Sequence, residues 1–494
     1  MAVAGLVLLS ITISGLTGGS AVHLEIVAIE LLLFSYFLIV NAIDFVLIGS
    51  SLRYLADFIK VNGSDGPARL ALQYAMPVSI VIPAYNEQQS IVEVVRSLLA
   101  LDYPEYELIV VNDGSTDATL ELLARHFALI PTGEAQYHSF RTKPIRGLYR
   151  STLHPNFRLI DKENGGKGDA LNAGIDESHY PMILVGDGDS LYTQDVLQKM
   201  IRPFLESPKT VGCGAGLRVL TDAAHVAGVP KRESLPRNYL VRFQILEYLR
   251  AGLNSRFAWS SLNGIPGLSG ACALWRKNVL VAVGGYAVNT IWEDMEITVR
   301  IHHYLRAFGT PYRIAFVPAG VCWTHVPETL AELAAQRKSW QRHLTETLWI
   351  HRKLVFSTYG GLFGWFALPA IILTEFLAPL WLFGGLSFVI AAAWLGILSA
   401  SAQLALLAIV FSFTLLKVAF AFVLDEVSYR THSPGDVWAL FWAALWEQVG
   451  YRQLSAAWSL IGTLQFFAGS PIRGRRENIS RWTDPPYVPK KPTP

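Results

Sequence analysis

The chain has 494 residues, 52% hydrophobic and 16% charged, with a mean hydropathy of +0.33. That is too apolar for a wholly soluble protein and leaves room for two or three domains. Lys and Arg number 41 against 39 Asp and Glu, a net +2, so no global positive field argues for nucleic-acid binding. Cys213, Cys272 and Cys322 stand far apart in apolar company, which excludes a disulfide framework or a closed zinc site and reads as reduced, packed thiols.

Residues 1–20 carry no Lys or Arg and so lack the basic start of a secretory signal; retention in the membrane is expected over export. Residues 21–52 are apolar apart from His23, Glu25, Glu30, Asn41 and Asp44, long enough to cross a ~30 Å hydrocarbon core as one helix. Residues 1–18 are apolar too and offer a second candidate helix. Arg53, Lys60 and Arg69 follow the span and none precede it, so the positive-inside bias places the next region in the cytoplasm.

From about residue 70 to 327 short β-branched runs alternate with helical spacing, the texture of an α/β domain. VSIVI, ELIVV, FRLID and MILVG read as buried parallel strands, with helices over residues 88–101 and 116–126. In such open, mostly parallel sheets ligands bind where strands end and loops begin. Residues 328–358 form an amphipathic stretch: Leu330, Leu333, Trp340, Leu344 and Leu348 fall near one face, with Arg337, Lys338, Arg342, Arg352 and Lys353 around it. It reads either as an interface helix lying on a bilayer or as a surface helix of the α/β domain. Residues 359–470 are lipid-like again, with three or four crossings expected, and residues 471–494 form a basic tail expected in the cytoplasm. Glu375, Lys417, Glu447, Gln448 and Arg452 inside the apolar stretches should face protein or a water-filled path. Trp365, Trp381, Trp438, Trp442, Trp446 and Trp458 are either walls of such a path or interfacial belts.

Several constellations sit at strand ends. VIPAYNE is followed by VVNDGSTD, with Asp113 and Asp117 bracketing a Gly-Ser turn; those carboxylates suit a base edge and ribose hydroxyls, though Asp-Gly-Ser is also an ordinary turn. KENGGKGDALNAG, residues 162–174, is a glycine-rich turn feeding a helix near Lys167, which presents N–H groups and an ammonium to anionic oxygens. Asp187-Gly188-Asp189 follows MILVG directly. Two carboxylates so close repel unless a hard cation sits between them, and Mg²⁺ or Mn²⁺ bridging a diphosphate meets that need. Glu293 and Asp294 open a helix, and one of them suits a general base for a hydroxyl. Gln336 and Trp340, one helical turn apart, can present an amide and an aromatic plate to a sugar ring.

In this order PAYNE, NDGSTD, NGGKGDALN, DGD, SGA, ED and QRxxW resemble the family 2 glycosyltransferases with a GT-A domain. The chain looks most like the membrane-bound synthases of cellulose, poly-N-acetylglucosamine, hyaluronan and chitin oligosaccharide, over residues 77–349. The resemblance implies an α/β GT-A catalytic domain, Rossmann-like, on a transmembrane helical bundle with interface helices, multi-pass in the inner membrane. It implies a nucleoside-diphosphate sugar as donor, bound by Pro83, Tyr85, Glu87, Asp113, Lys167, Asp187 and Arg337. Asp187 and Asp189 would hold the metal, Ser269, Gly270, Gln336 and Trp340 the acceptor, and Asp294, beside Glu293, would be the base. Inverting transfer of a UDP-sugar to a growing β-linked glycan follows, with processive extension, passage through the membrane, and contacts with lipids and accessory export subunits. A lipid-linked acceptor receiving a single sugar is the alternative, and a non-catalytic nucleotide-sugar-binding subunit the third reading. Two departures stand out: Ser339 occupies the place of the family's usual second arginine, putting diphosphate clamping in doubt, and residues 137–155 form a basic insertion with Arg141, Lys143, Arg146 and Arg150. The insertion reads as a solvated loop or as a contact for lipid headgroups, an anionic substrate or a partner.

Overall fold

A computed structural model describes residues 21–62, 76–133, 139–220, 225–226, 229–230, 235–290, 292–394, 400–429 and 433–469. The candidate helix at residues 1–18 and the basic tail lie outside them. Helix α1 (Ala21–Asn62) precedes the α/β domain, which opens with β1 (Val78–Ala84), α2 (Ile91–Leu99), β2 (Tyr106–Asp113) and α3 (Thr119–His126). Next come β3 (Leu129–Thr132), β4 (Ile145–Ser151), β5 (Phe157–Lys162), α4 (Lys167–Asp176), β6 (Met182–Gly186), β7 (Leu191–Tyr192), α5 (Val196–Glu206) and β8 (Thr210–Val219). A two-stranded ribbon, β9 (His225–Val226) and β10 (Val229–Pro230), leads to α6 (Tyr239–Leu249) and, through a π-helical turn at Arg250–Arg256, to α7 (Phe257–Ser261). β11 (Cys272–Arg276), α8 (Lys277–Ala282), α9 (Asp294–Ala307) and β12 (Arg313–Thr324) complete the domain.

The ten strands form one sheet in the order β3-β4-β5-β2-β1-β6-β11-β8-β12-β7. β1 is buried along its whole length and β6 likewise, as expected of central strands covered on both faces. β5, β2, β1 and β6 run parallel, in the register Val81↔Ile109 and Val81↔Val185, so Lys162, Asp113, Ala84 and Gly186 finish along one edge. β11 runs antiparallel to β6 with Cys272 opposite Gly186, which returns residues 269–271 to that same edge. α4 lies close on the sheet because Gly174 has no side chain: a Cβ there would stand 2.3 Å from Val81 Cγ1.

The sheet is mixed rather than mostly parallel, since β3, β4, β7 and β11 pair antiparallel with their neighbours. The basic insertion is not merely a loop: β4 lies between β3 and β5, with Leu148 opposite Ile160 and Thr132, while Arg146 and Arg150 stay exposed. The three cysteines are free and buried, as expected.

Helix α10 (Leu330–Ile350) starts at a capping box, Thr329 with Glu332. It is not a simple surface-lying amphipath: Leu330 is 55% exposed, whereas every residue from Gln341 to Thr347 is buried. After it come α11 (Leu368–Ile371), α12 (Ala378–Trp394), α13 (Ala400–Tyr429), α14 (Pro434–Trp446) and α15 (Tyr451–Phe467). α15 can seat against α10 because Gly462 opens the contact; a Cβ there would lie 2.5 Å from the Lys338 carbonyl oxygen.

The transmembrane bundle is the expectation least met. Among the described residues one helix, Leu31–Arg53 within α1, is long and apolar enough to cross a membrane. A second candidate, Phe363–Phe376 with Ala378–Ala391, is bent by 48°, and Ala408–Val423 is a shorter apolar helix. These segments do meet: Tyr36 stacks on Trp381 with centroids 4.3 Å apart, and Lys417 Nζ lies 2.8 Å from Asp44. Trp365, Trp438, Trp442 and Trp446 are exposed. Glu447, wholly buried, takes both Arg250 at 2.6 Å and Arg452 at 2.9 Å, binding the helical layer to the α/β domain.

Candidate active site

The loops after β1 and β2 are locked together. Asn86, at φ +59°, accepts from the Thr116 N–H at 2.8 Å, and the Glu87 N–H donates to Thr119 Oγ1 at 2.9 Å. Asp117 accepts from the Gln88 N–H, so it braces this pair of loops. Tyr85 is left exposed at the tip, beyond the buried Pro83. Ser90 Oγ sits 2.9 Å from Glu87 Oε2 and 3.0 Å from the Gly188 carbonyl oxygen, joining the β1 loop to the Asp-Gly-Asp turn after β6.

Asp113 is engaged internally. Its Oδ1 accepts from Lys162 Nζ at 2.8 Å and the Gly165 N–H at 2.9 Å, and its Oδ2 from the Gly166 N–H at 2.8 Å. Lys162 also pairs with Asp169 at 2.5 Å, and its side chain is fully buried. This knot shapes the glycine-rich turn; Gly166 sits at φ +90°, where a side chain is strained. The turn delivers Lys167 as the first residue of α4.

Lys167 draws the chemistry together. Its Nζ lies 2.6 Å from Asp187 Oδ1 and 2.9 Å from Glu293 Oε1. Burial opposes its charge, but Asp187, Glu293 and then Asp294 outweigh that and hold it well above the usual lysine range. Gly270 belongs to the same group: a Cβ on it would stand 2.7 Å from Lys167 Nζ and 3.4 Å from Glu293 Oε1. The Gly270 N–H donates to Asp294 Oδ2 at 3.2 Å, and the Met295 N–H to Oδ1 at 2.7 Å.

Asp187 is positioned through its backbone, its N–H donating to the Tyr192 hydroxyl at 3.0 Å while that buried hydroxyl donates to the Ala271 carbonyl at 2.8 Å. Burial and then the Asp187 charge push Asp189 above the ordinary carboxylate range. Burial, with repulsion from Asp189 and Asp187 against the Ser90 hydrogen bond, raises Glu87 likewise. These acids are short of positive charge, and their hard oxygens fit Mg²⁺ or Mn²⁺. Among the described residues no group of three or more His, Cys, Asp or Glu side chains converges as a complete cage.

Gly270, with Ser269 before it in the chain, thus stands beside Lys167, Glu293 and Asp294. The Gln336 to Trp340 segment is more dispersed. Arg337 pairs with Glu247 of α6, lies 3.3 Å from the Tyr451 hydroxyl, and stacks over Trp340 at 4.6 Å. Gln336 Oε1 is buried without a hydrogen-bond partner among the described residues. Ser339 accepts a hydrogen bond from the Trp292 indole N–H at 2.8 Å, which ties α10 to the residue before Glu293. Sequence reasoning missed Lys162, Tyr192 and His343. The last is buried on α10, its Nε2 3.7 Å from Asp294 Oδ1.

The description "Glycosyl transferase family 2" matches residues 79–280, and "Glycosyl transferase family group 2" matches residues 182–424. The poly-beta-1,6-N-acetyl-D-glucosamine synthase of Staphylococcus epidermidis is 27% identical over 272 residues, 55% of each chain. That of Staphylococcus aureus strain COL is 28% identical over the same coverage; the chain spans about half the length of these curated relatives. A mannosyltransferase from Pyrobaculum calidifontis, solved with GDP-Man and Mn²⁺, superposes with a TM-score of 0.53 at 17% identity, covering 87% of this chain and 100% of that one. That likeness speaks for the fold alone, a GT-A fold with a mixed sheet. The first match takes in Lys167 and Asp187 and the second Asp187 and Asp294, so the chain carries glycosyl transferase family 2 domains across these strand ends.

Proposed function

We propose that the chain transfers a sugar from a UDP-sugar, UDP-N-acetylglucosamine first among candidates, onto the hydroxyl of a growing β-linked glycan at the cytoplasmic face of the inner membrane. The observation that carries this is the meeting of Lys167, Asp187, Glu293, Asp294 and Gly270 at the ends of the central strands. Lys167 and the Asp187–Asp189 turn receive the donor diphosphate. Asp187 and Asp189 would hold Mg²⁺ or Mn²⁺, which supplies charge neutralisation for the departing diphosphate. Asp294 takes the proton of the acceptor hydroxyl as its oxygen bonds to the anomeric carbon and the bond to the diphosphate breaks, inverting an α-linked donor to a β-linked product. Glu293 holds Lys167 in place.

The donor choice rests on the names of the staphylococcal relatives. The apolar helix within α1 and the bent pair beside it support a membrane seat, from which repeated extension and passage of the glycan would proceed. The test is nucleotide release by the purified full chain in detergent, across UDP- and GDP-sugars, with Mg²⁺, Mn²⁺ or chelator, and with products sized. Metal-dependent UDP release with a ladder of products is expected. Release yielding one added sugar moves the reading to a single transfer, and no release with any donor overturns it.

A further inference from the structure

We propose that His343 is a positioning residue for Asp294, facing its Oδ1 from α10 and taking up the proton that Asp294 removes from the acceptor hydroxyl. The inference rests on the reading of Asp294 as the base.

The geometry separates the two oxygens of this carboxylate. Oδ2 accepts from the Gly270 N–H, on the side where Lys167 and Asp187 meet. Oδ1 accepts from the Met295 N–H at 2.7 Å and also faces His343 Nε2 at 3.7 Å. His343 is 8% exposed, and its Nε2 has no hydrogen-bond partner among the described residues. A buried polar atom left unpaired costs about 1–3 kcal/mol, so an orphaned nitrogen aimed at the base is a feature that wants a use. Catalytic hydrogen bonds are often long before substrate arrives.

Three acids act on His343 from α9 and the residue before it: Asp294, Glu293 and Glu296. Glu296 has its own cation in Arg300 and accepts from His351 Nε2 at 3.1 Å, and Glu293 pairs with Lys167. Asp294 is the acid left for the imidazole. On its own helix His343 is flanked by buried Arg342 and, one turn on, Glu346 and Thr347. Burial lowers the imidazole pKa despite the three acids, leaving the ring neutral and able to accept.

The step balances. The alcohol O–H breaks and a carboxyl O–H forms on Asp294 while the alcohol oxygen bonds to the anomeric carbon and the diphosphate leaves with the bonding pair. Once neutral, the carboxyl turns; its O–H breaks and an N–H forms at His343 Nε2, with Nδ1 already protonated. The imidazolium passes that proton to water as product departs.

The test compares wild type, His343→Gln, His343→Ala and Asp294→Asn as full chains, with UDP-N-acetylglucosamine and Mg²⁺, between about pH 5 and 8. His343→Gln keeps size and polarity but cannot take a proton; kcat should fall about 100-fold with donor KM unchanged, and the imidazole-dependent limb of the pH profile should vanish. Added imidazole should restore turnover to His343→Ala in proportion to its neutral form. Wild-type kcat and pH profile in His343→Gln would overturn the inference, as would loss of kcat and donor binding together without rescue. Active Asp294→Asn would instead remove the base assignment, so the two failures are told apart.

Discussion

Lys162 and Lys167 stand on either side of one glycine turn, and each joins two carboxylates. Lys162 holds Asp113 and Asp169 with its side chain wholly buried; the Gly165 N–H shares Asp113 Oδ1 with it, and the Gly166 N–H fills Oδ2. Lys167 holds Asp187 and Glu293 with 26% of its side chain open to solvent and 29% of Asp187. The same chemistry makes a closed strut in one place and an open reception site in the other. What separates them is whether lone pairs and solvent access are left over for a ligand.

The comparison can be broken first at the strut. Lys162→Met leaves two buried carboxylates facing each other and should cost about 3–5 kcal/mol of stability, read as a lowered melting temperature with near-normal turnover per folded molecule. Acid is the next probe, because α9, which starts at Asp294, carries His303 buried behind the site. Burial, and then His351, holds His303 near pKa about 4, below the 6.5 of an unfolded chain. Both states are neutral above that value and stability is complete; as pH falls toward 4 only the unfolded state takes the proton, and roughly 3 kcal/mol is lost. Melting curves across that window check it.

At the reception site the pattern should invert. Lys167→Met should leave melting nearly unchanged and lower kcat/KM for the donor about 100-fold. Gly270→Ala places a Cβ 2.7 Å from Lys167 Nζ and should lower kcat/KM about tenfold by displacing the ammonium, again without loss of stability. A Lys167→Met protein that melts early and turns over normally would erase the distinction.

Sequence patterning exposed the strut and the site unequally. β1, β2, β5 and β6 were legible because strands covered on both faces are continuous apolar runs, and their ends carried the acidic motifs. β8 was not, because Gly212 and Gly214 are small for packing reasons: a Cβ on Gly212 would stand 2.3 Å from Trp275 Cζ3. β4 hid behind its exposed arginines, since an edge-proximal strand keeps charge on its open face. His343 escaped because α10 read as a bilayer-lying helix, whereas its second half is enclosed by protein. Asp113 illustrates the limit of a motif, which names the carboxylate but not the Lys162 already holding it.

The most direct measurement is donor binding and transfer on one preparation of Asp294→Asn, full length, with UDP-N-acetylglucosamine and Mg²⁺. Donor affinity equal to wild type with transfer abolished is the predicted result. Transfer at the wild-type rate would contradict the assignment of Asp294 as the group that activates the acceptor.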